Sequence, residues 1–338
     1  MSAPALQIDA IGLVSSVGSS RAANCAAMRA KVANPSELRY HDYGNEPVLG
    51  HRVPVSVRIR GTARLVEMCA DALYQCVEAH PRLRWKEIPL LLCVAEPERA
   101  GRPSELESTI AKGLAERLPP LHARLSSVFA GRTGVAMALS RARELIADGH
   151  VAHALVASTD SLLHHATLYG FEARRRLLTS LNSDGFMPGE GAGALLVSAH
   201  EGGAGLKIVG VGQSTEVAHV DSGEPLRADG LCAAIRHAVS DAGESAADFD
   251  FSVSDVAGEQ YAFKEASLAL SRTLRVPKSS FEFWQPAETV GHCGVSLPLM
   301  CLALAGDAME KGYAPGRRVL LHFGDDRGGR AAVLAEAG

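Results

Sequence analysis

The amino-acid sequence predicts a layered α/β fold made of two duplicated halves. Three observations point there. Short apolar runs alternate with stretches of helical periodicity almost from end to end. A glycine-rich break at 202–205 divides the chain, and each side of it runs strand, helix, strand, helix. The 338 residues are 47% hydrophobic and 21% charged, which is enough apolar material for a large buried core. The expected halves are 1–201 and 206–338, although they share no obvious sequence repeat.

Strands are expected at 5–13, 88–95, 152–158, 192–198, 206–212, 249–254, 279–283, 318–323 and 331–335, where β-favouring apolar residues cluster. Helices fall between them. Over 62–79, Leu65, Cys69, Ala72, Leu73 and Cys76 share one face. Over 133–148 the stripe is Val135, Ala138, Leu139, Ala142, Leu145 and Ile146. Over 230–242 it is Leu231, Ile235, Ala238 and Val239, closed by Gly243 at the C-cap position. Segment 294–311 is small and apolar on nearly every side, as a helix buried between layers is. Residues 30–60 and 96–122 are the least periodic and read as surface excursions.

Composition excludes several classes of function. A net charge of −4 gives no global basic field for nucleic acid or an anionic membrane. Arg174, Arg175 and Arg176 form the one basic cluster and read as a solvated helix face. The seven cysteines show no paired metal-ligand spacing and read as reduced, packed thiols. The opening MSAPALQIDAIGL lacks the basic and apolar regions of a secretory leader. No apolar run approaches the roughly 18 residues of a membrane helix. A soluble, cytoplasmic protein is expected. Around His150, His153, Asp160, His164 and His165 no fixed third ligand is evident, so neither metal nor cofactor is expected. There is no P-loop, dinucleotide fingerprint or GxSxG elbow.

The most specific string is Ser183-Asp184-Gly185-Phe186-Met187-Pro188-Gly189-Glu190-Gly191-Ala192-Gly193, followed by ALLVS. So many glycines before a buried strand require a tightly bent backbone. This string resembles the DGFVMGEGAG segment of the β-ketoacyl synthases, in which it is a structural loop near the active site and Glu190 has no catalytic role. Other matches follow in collinear order. IDAIGLVSSVGSS resembles the family's opening ITGLGVVSPIG, HALVASTDSLL its ALAGGAEA strand and turn, and GFEARRRLL its GFAAMRALS helix. GHCGVSLPL resembles GHTLGAAG, and FGDDRGGRAAVL the terminal FGFGGTNASLVL. The resemblance implies a thiolase-like, five-layered αβαβα fold, an acyltransferase ancestry related to fatty acid or polyketide biosynthesis, and a homodimer paired through the strand in 124–131.

Set against the family's motifs, the catalytic positions are mostly vacant. The nucleophilic cysteine of A-C-A-T-G falls on Gly131 in Ala130-Gly131-Arg132-Thr133-Gly134. Arg132 is open to two readings, an anion-binding guanidinium or a surface residue. Counting back from Glu265, the first histidine falls on Ser254, beside Asp255. The lysine falls on Ala287, beside Glu288. Only His292 keeps its histidine, and it reads either as a functional survivor or as a loop histidine satisfied by backbone. Cys293 is read as packing. The gating aromatic falls on Asp325, next to Asp326 and Arg327. Burying unpaired charges is costly, so Arg132 is expected to pair with Asp325 or Asp326 and plug the pocket.

Condensation needs a thiolate and two imidazoles or their equivalents. The expected protein is therefore a pseudoenzyme: a dimeric binding, adaptor or partner protein, of another protein or of an acyl carrier protein. Two alternatives stand beside it. One is residual hydrolase, acyl-transfer or decarboxylase chemistry on His292 with Glu288, Asp255 or Asp325. The other is an active 3-oxoacyl synthase with a relocated nucleophile.

Overall fold

The alternation of strands and helices resolves into two five-strand runs of identical order. The computed structural model describes residues 4–56, 58–122, 125–200, 202, 205–243, 249–274, 276, 278 and 280–338. The first run comprises β1 (Leu6–Val14), β4 (Leu90–Cys93), β5 (Leu125–Val128), β6 (His153–Ser161) and β7 (Glu190–Ala199), ordered β1-β7-β6-β4-β5. The second comprises β8 (Leu206–Thr215), β9 (Phe251–Ser254), β10 (Glu282–Trp284), β11 (Arg318–Gly324) and β12 (Gly329–Ala337), ordered β8-β12-β11-β9-β10. In both, the first strand is antiparallel to the fifth and the fifth to the fourth, while the second lies parallel between fourth and third. A short antiparallel pairing of Leu6 with Ile208 and Gln7 with Lys207 joins the runs into one ten-stranded sheet.

The strands are apolar on both faces because helices cover both. All four residues of β4, Leu-Leu-Leu-Cys, are buried. Helices α2 (Thr62–Glu78) and α3 (Leu106–Arg117) pack outside the first run. Helices α6 (Asp229–Ala242) and α7 (Gln260–Thr273) pack outside the second. Between the runs lie α4 (Gly134–Ala147) and α9 (Leu297–Glu310), whose apolar residues share one core with the inner faces of both. The layers are thus αβαβα. On α9 every residue from Leu297 to Ala308 is buried, which explains its all-round apolar sequence.

The same kind of glycine contact occurs in both halves. A Cβ on Gly12 of β1 would sit 1.9 Å from the Ala72 carbonyl oxygen of α2, and one on Gly212 of β8 would sit 2.1 Å from that of Ala234 on α6. Only glycine lets the helix approach the sheet so closely.

Several boundaries differ from the sequence reading. The excursion 30–60 contains a hairpin, β2 (Ser36–His41) and β3 (Pro47–Gly50), and 96–122 contains α3. Strand β10 starts at Glu282; Ser279, where the expected strand began, lies outside the described residues, as do Glu201, Gly203 and Ala204 of the glycine-rich break. Residues 294–296 form a single 3₁₀ turn before α9 begins. Gly243 caps α6 in the left-handed conformation, φ 69°. The remaining helices are α1 (Arg21–Ala30), α5 (His165–Ala173) and the four-residue α8 (Ala287–Val290). All seven cysteines are buried and unpaired. No helix among the described residues is long and apolar enough to cross a membrane.

Candidate functional site

Four chain segments converge beyond the C-terminal ends of β5, β9 and β11. Strand β5 runs into the 3₁₀ turn Gly131–Thr133 and then into α4. Asp255 follows β9, His292 lies between α8 and α9, and the turn 325–328 joins β11 to β12. Gly131 has φ 51°, and a Cβ there would stand 3.1 Å from the Asp325 Cβ. A side chain at this position would meet both an unfavourable backbone region and a neighbour. Thr133 Oγ1 donates to the Ala130 carbonyl at 2.7 Å, closing the turn.

Arg132 turns inward. Its Nε donates to Asp255 Oδ2 at 2.7 Å, and its Nη1 lies 2.5 Å from His292 Nε2 and 3.5 Å from Asp326 Oδ1. Asp326 is also held by Arg176 at 2.8 Å, and Arg176 forms a two-point pair with Glu259, both contacts 2.7 Å. Five charges therefore gather beside His292. The two arginines hold the Asp326 carboxyl far below the usual carboxylate range despite its burial. Burial raises the Asp255 carboxyl against the pull of Arg132. Burial, reinforced by the Arg132 charge, pushes His292 well below the ordinary histidine value, so its ring is neutral. Its Nδ1 accepts from the Gly294 N–H at 3.1 Å. The space left in this cluster is about 40 Å³, room for a water but not for an acyl chain.

Arg132 reaches one of its two expected partners, Asp326, and also an acid that was not expected. The nearest acid is Asp255, with Asp326 second. Asp325 instead accepts from the N–H groups of Arg327 and Gly329, at 2.8 and 3.0 Å, and so shapes its own turn. Glu288 does not reach the cluster: it is exposed on α8 and pairs with Lys31 at 3.2 Å, which removes it as a partner for His292. Ala287 sits beside it on α8. Cys293 is buried against the Val290 and Glu190 carbonyls, and burial raises its thiol well above the ordinary value. Glu190 accepts from buried Arg64, from the Val53 N–H and from Ser161 Oγ, a structural brace.

Three features escaped the sequence reading. Ser254 Oγ donates to the His322 carbonyl at 3.1 Å and faces His322 Nδ1 at 3.2 Å; burial lowers that histidine to about 4. No motif marks His322, which looks like any polar residue in a strand. Arg176 is buried, not on a solvated face, because Arg175 adopts φ 57° and turns the chain inward after α5. Its signal was the match to GFAAMRALS. Arg99 bridges Glu96 and Asp160, from the aperiodic segment in which no pattern exists to read. Among the described residues, no group of three His, Cys, Asp or Glu could hold a metal ion.

Residues 125–202, spanning β5 to the end of β7, match the family model "Beta-ketoacyl synthase, N-terminal domain". The chain has the fold of the ketosynthases. Solved ketosynthases superpose on it throughout. A chain of a complex described as a type II PKS acyl-carrier protein with its ketosynthase bound to the hexaketide gives a TM-score of 0.83 at 14% identity, covering 99% of this chain and 100% of that one. The ishigamide ketosynthase/chain length factor gives 0.78 at 18% identity, covering 99% of each chain. A beta-ketoacyl synthase from Burkholderia phymatum STM815 gives 0.79 at 14% identity, covering 99% and 100%. No curated protein matches the sequence. At these identities the structural likeness concerns the fold of this ketosynthase-like chain; its chemistry has to be argued from the residues around Gly131.

Proposed function

We propose that this chain is a non-condensing ketosynthase-like subunit that acts as a partner for another protein, foremost an active ketosynthase. The observation that carries the reading is the pair Gly131 and Arg132: a left-handed glycine against Asp325 at the nucleophile position, followed by a guanidinium bound to Asp255 and His292. Likeness to a ketosynthase/chain length factor and to a ketosynthase from Xenorhabdus doucetiae in complex with its chain length factor supports a protein partner of the same fold. The matching strand orders, and the Gly12 and Gly212 contacts, support reading 1–201 and 206–338 as duplicated halves.

Neither alternative gains support from the geometry. His292 accepts the Gly294 N–H at Nδ1, has Arg132 Nη1 packed against Nε2, and has no substrate-sized space beside it. The seven thiols are all buried, and burial raises those of Cys69, Cys76 and Cys93 to about 12, so none of these three is a thiolate near neutral pH.

Incubation with acyl-CoA or acyl-carrier protein is expected to leave the intact mass unchanged. Stoichiometric acylation mapped to any cysteine overturns the proposal. Gly131→Cys is expected to stay inactive in condensation and to lose about 1–2 kcal/mol of stability from its left-handed backbone, read by thermal unfolding beside a malonyl-decarboxylation assay.

Assembly follows from the edge of the sheet. Among the described residues strand β5 pairs only with β4, Phe129 beyond it is exposed, and α4 exposes Met137. An unpaired edge with apolar neighbours invites strand pairing across a two-fold axis, with a second copy or with a ketosynthase. Light scattering is expected to give a dimer alone or a one-to-one complex on co-expression with a ketosynthase. A stable monomer under both conditions contradicts this.

A further inference from the structure

A second cavity, sharing no residue with the charged cluster, lies between the end of α1, strand β10 and the end of α9. It offers about 190 Å³. A cavity of about 150 Å³ already accepts benzene, so this one takes a single aromatic ring with a short substituent. Its lining includes Met28, Leu304 and Pro286 together with the aromatic residues Trp284 and Tyr313.

The polar ends of both rings are already engaged. Trp284 Nε1 donates to Glu282 Oε2 at 2.7 Å, and the Tyr313 hydroxyl donates to Asp307 Oδ2 at 2.8 Å. Neither ring therefore has a free donor to offer a ligand, which favours apolar matter over hydrogen-bonding groups. The two rings lie nearly parallel, 27° apart with centroids 6.2 Å apart.

Charge then distinguishes one ligand class. Arg29, in the last turn of α1, holds its guanidinium carbon 4.1 Å from the Tyr313 ring centroid, and among the described residues no carboxylate pairs with it. The acid on the rim, Glu288, is neutralised by Lys31 at 3.2 Å. A stacked guanidinium keeps its in-plane N–H donors free for a planar anion. We infer that this cavity binds a small aromatic carboxylate, its ring against Trp284 and its carboxylate on Arg29.

The chain has two tryptophans, and Trp85 packs far away against Tyr74, so a Trp85→Phe variant makes fluorescence a direct report on Trp284. Phenylacetate is titrated into that variant, with benzyl alcohol as the neutral aromatic and hexanoate as the non-aromatic acid. Phenylacetate is expected to give a saturable change; benzyl alcohol, which lacks the charge-assisted contact, and hexanoate, which lacks the ring contact, are each expected to bind about tenfold more weakly. Arg29 is exposed, so Arg29→Gln keeps the fold. It is expected to weaken phenylacetate about tenfold and leave benzyl alcohol unchanged. Absence of a saturable response to phenylacetate overturns the inference. So does equal binding of phenylacetate and benzyl alcohol, or an Arg29→Gln variant that binds phenylacetate as the parent does.

Discussion

Replacing Arg132 with methionine is expected to lower folding stability by about 3–5 kcal/mol, the usual penalty when one partner of a buried ion pair is removed. Methionine fills most of the space but leaves the buried Asp255 carboxylate with only the Gly324 N–H, at 3.2 Å. Asp326 suffers less because Arg176 still holds it. The double variant Arg132→Met, Asp255→Leu is expected to recover most of the loss, since it removes both charges together. Arg141→Ala serves as a reference: its pair with Glu144 is exposed on both sides and should cost under about 0.5 kcal/mol. Urea denaturation followed by circular dichroism gives all four values. An Arg132→Met loss below about 1 kcal/mol contradicts the packed cluster described above.

Acidification from pH 7 to pH 5 is expected to destabilise the fold steeply, before most carboxylates titrate. His51 and His322 are buried and lowered to about 4, and His292 is lowered as well. Each is neutral in the folded chain but takes up a proton near pH 6.5 once unfolded. The unfolded state therefore binds more protons between about pH 4 and 6.5, and stability falls as pH falls through that window. Each such histidine contributes up to roughly 1.4 kcal/mol per pH unit, so His51 and His322 together remove about 3 kcal/mol between pH 6.5 and 5. Asp255 and Glu265, both raised by burial, act with the opposite sign at the lower end of the window. Asp326, lowered, adds its own loss only below the ordinary carboxylate value. Denaturation midpoints at pH 7, 6 and 5 check the slope, and His322→Gln should flatten it. A midpoint constant from pH 7 to 5 rules the account out.

The legible and illegible parts of this chain divide along physical lines. Buried strands and amphipathic helices impose periodicity, so β4, β6, β7, α2, α4, α6 and the all-round apolar α9 could be read directly. Motif order carried the layered fold and the positions of Gly131, Arg132, Ser254 and His292. Pairing among charges was read less well. Arg132 and Asp255 were both singled out, but their contact depends on where two distant turns land, which spacing does not encode. Glu288 looked close to His292 in sequence, yet α8 turns it to the surface toward Lys31. Arg176 resembled its exposed neighbours because one left-handed residue, Arg175, decides its direction.

The shared central layer has a consequence for how the chain is made. The strands of the first run are all synthesised once β7 is complete, yet the inner faces of Leu13, Val156 and Leu195 pack with α9, which emerges much later. During translation those surfaces wait on the order of ten seconds for their cover. The nascent protein thus passes through an interval in which it is sticky, and the halves cannot mature one after the other. Its yield in a cell should depend on chaperones that hold unfinished chains, and splitting the gene at the glycine-rich break should leave two fragments that recover the fold only when produced together.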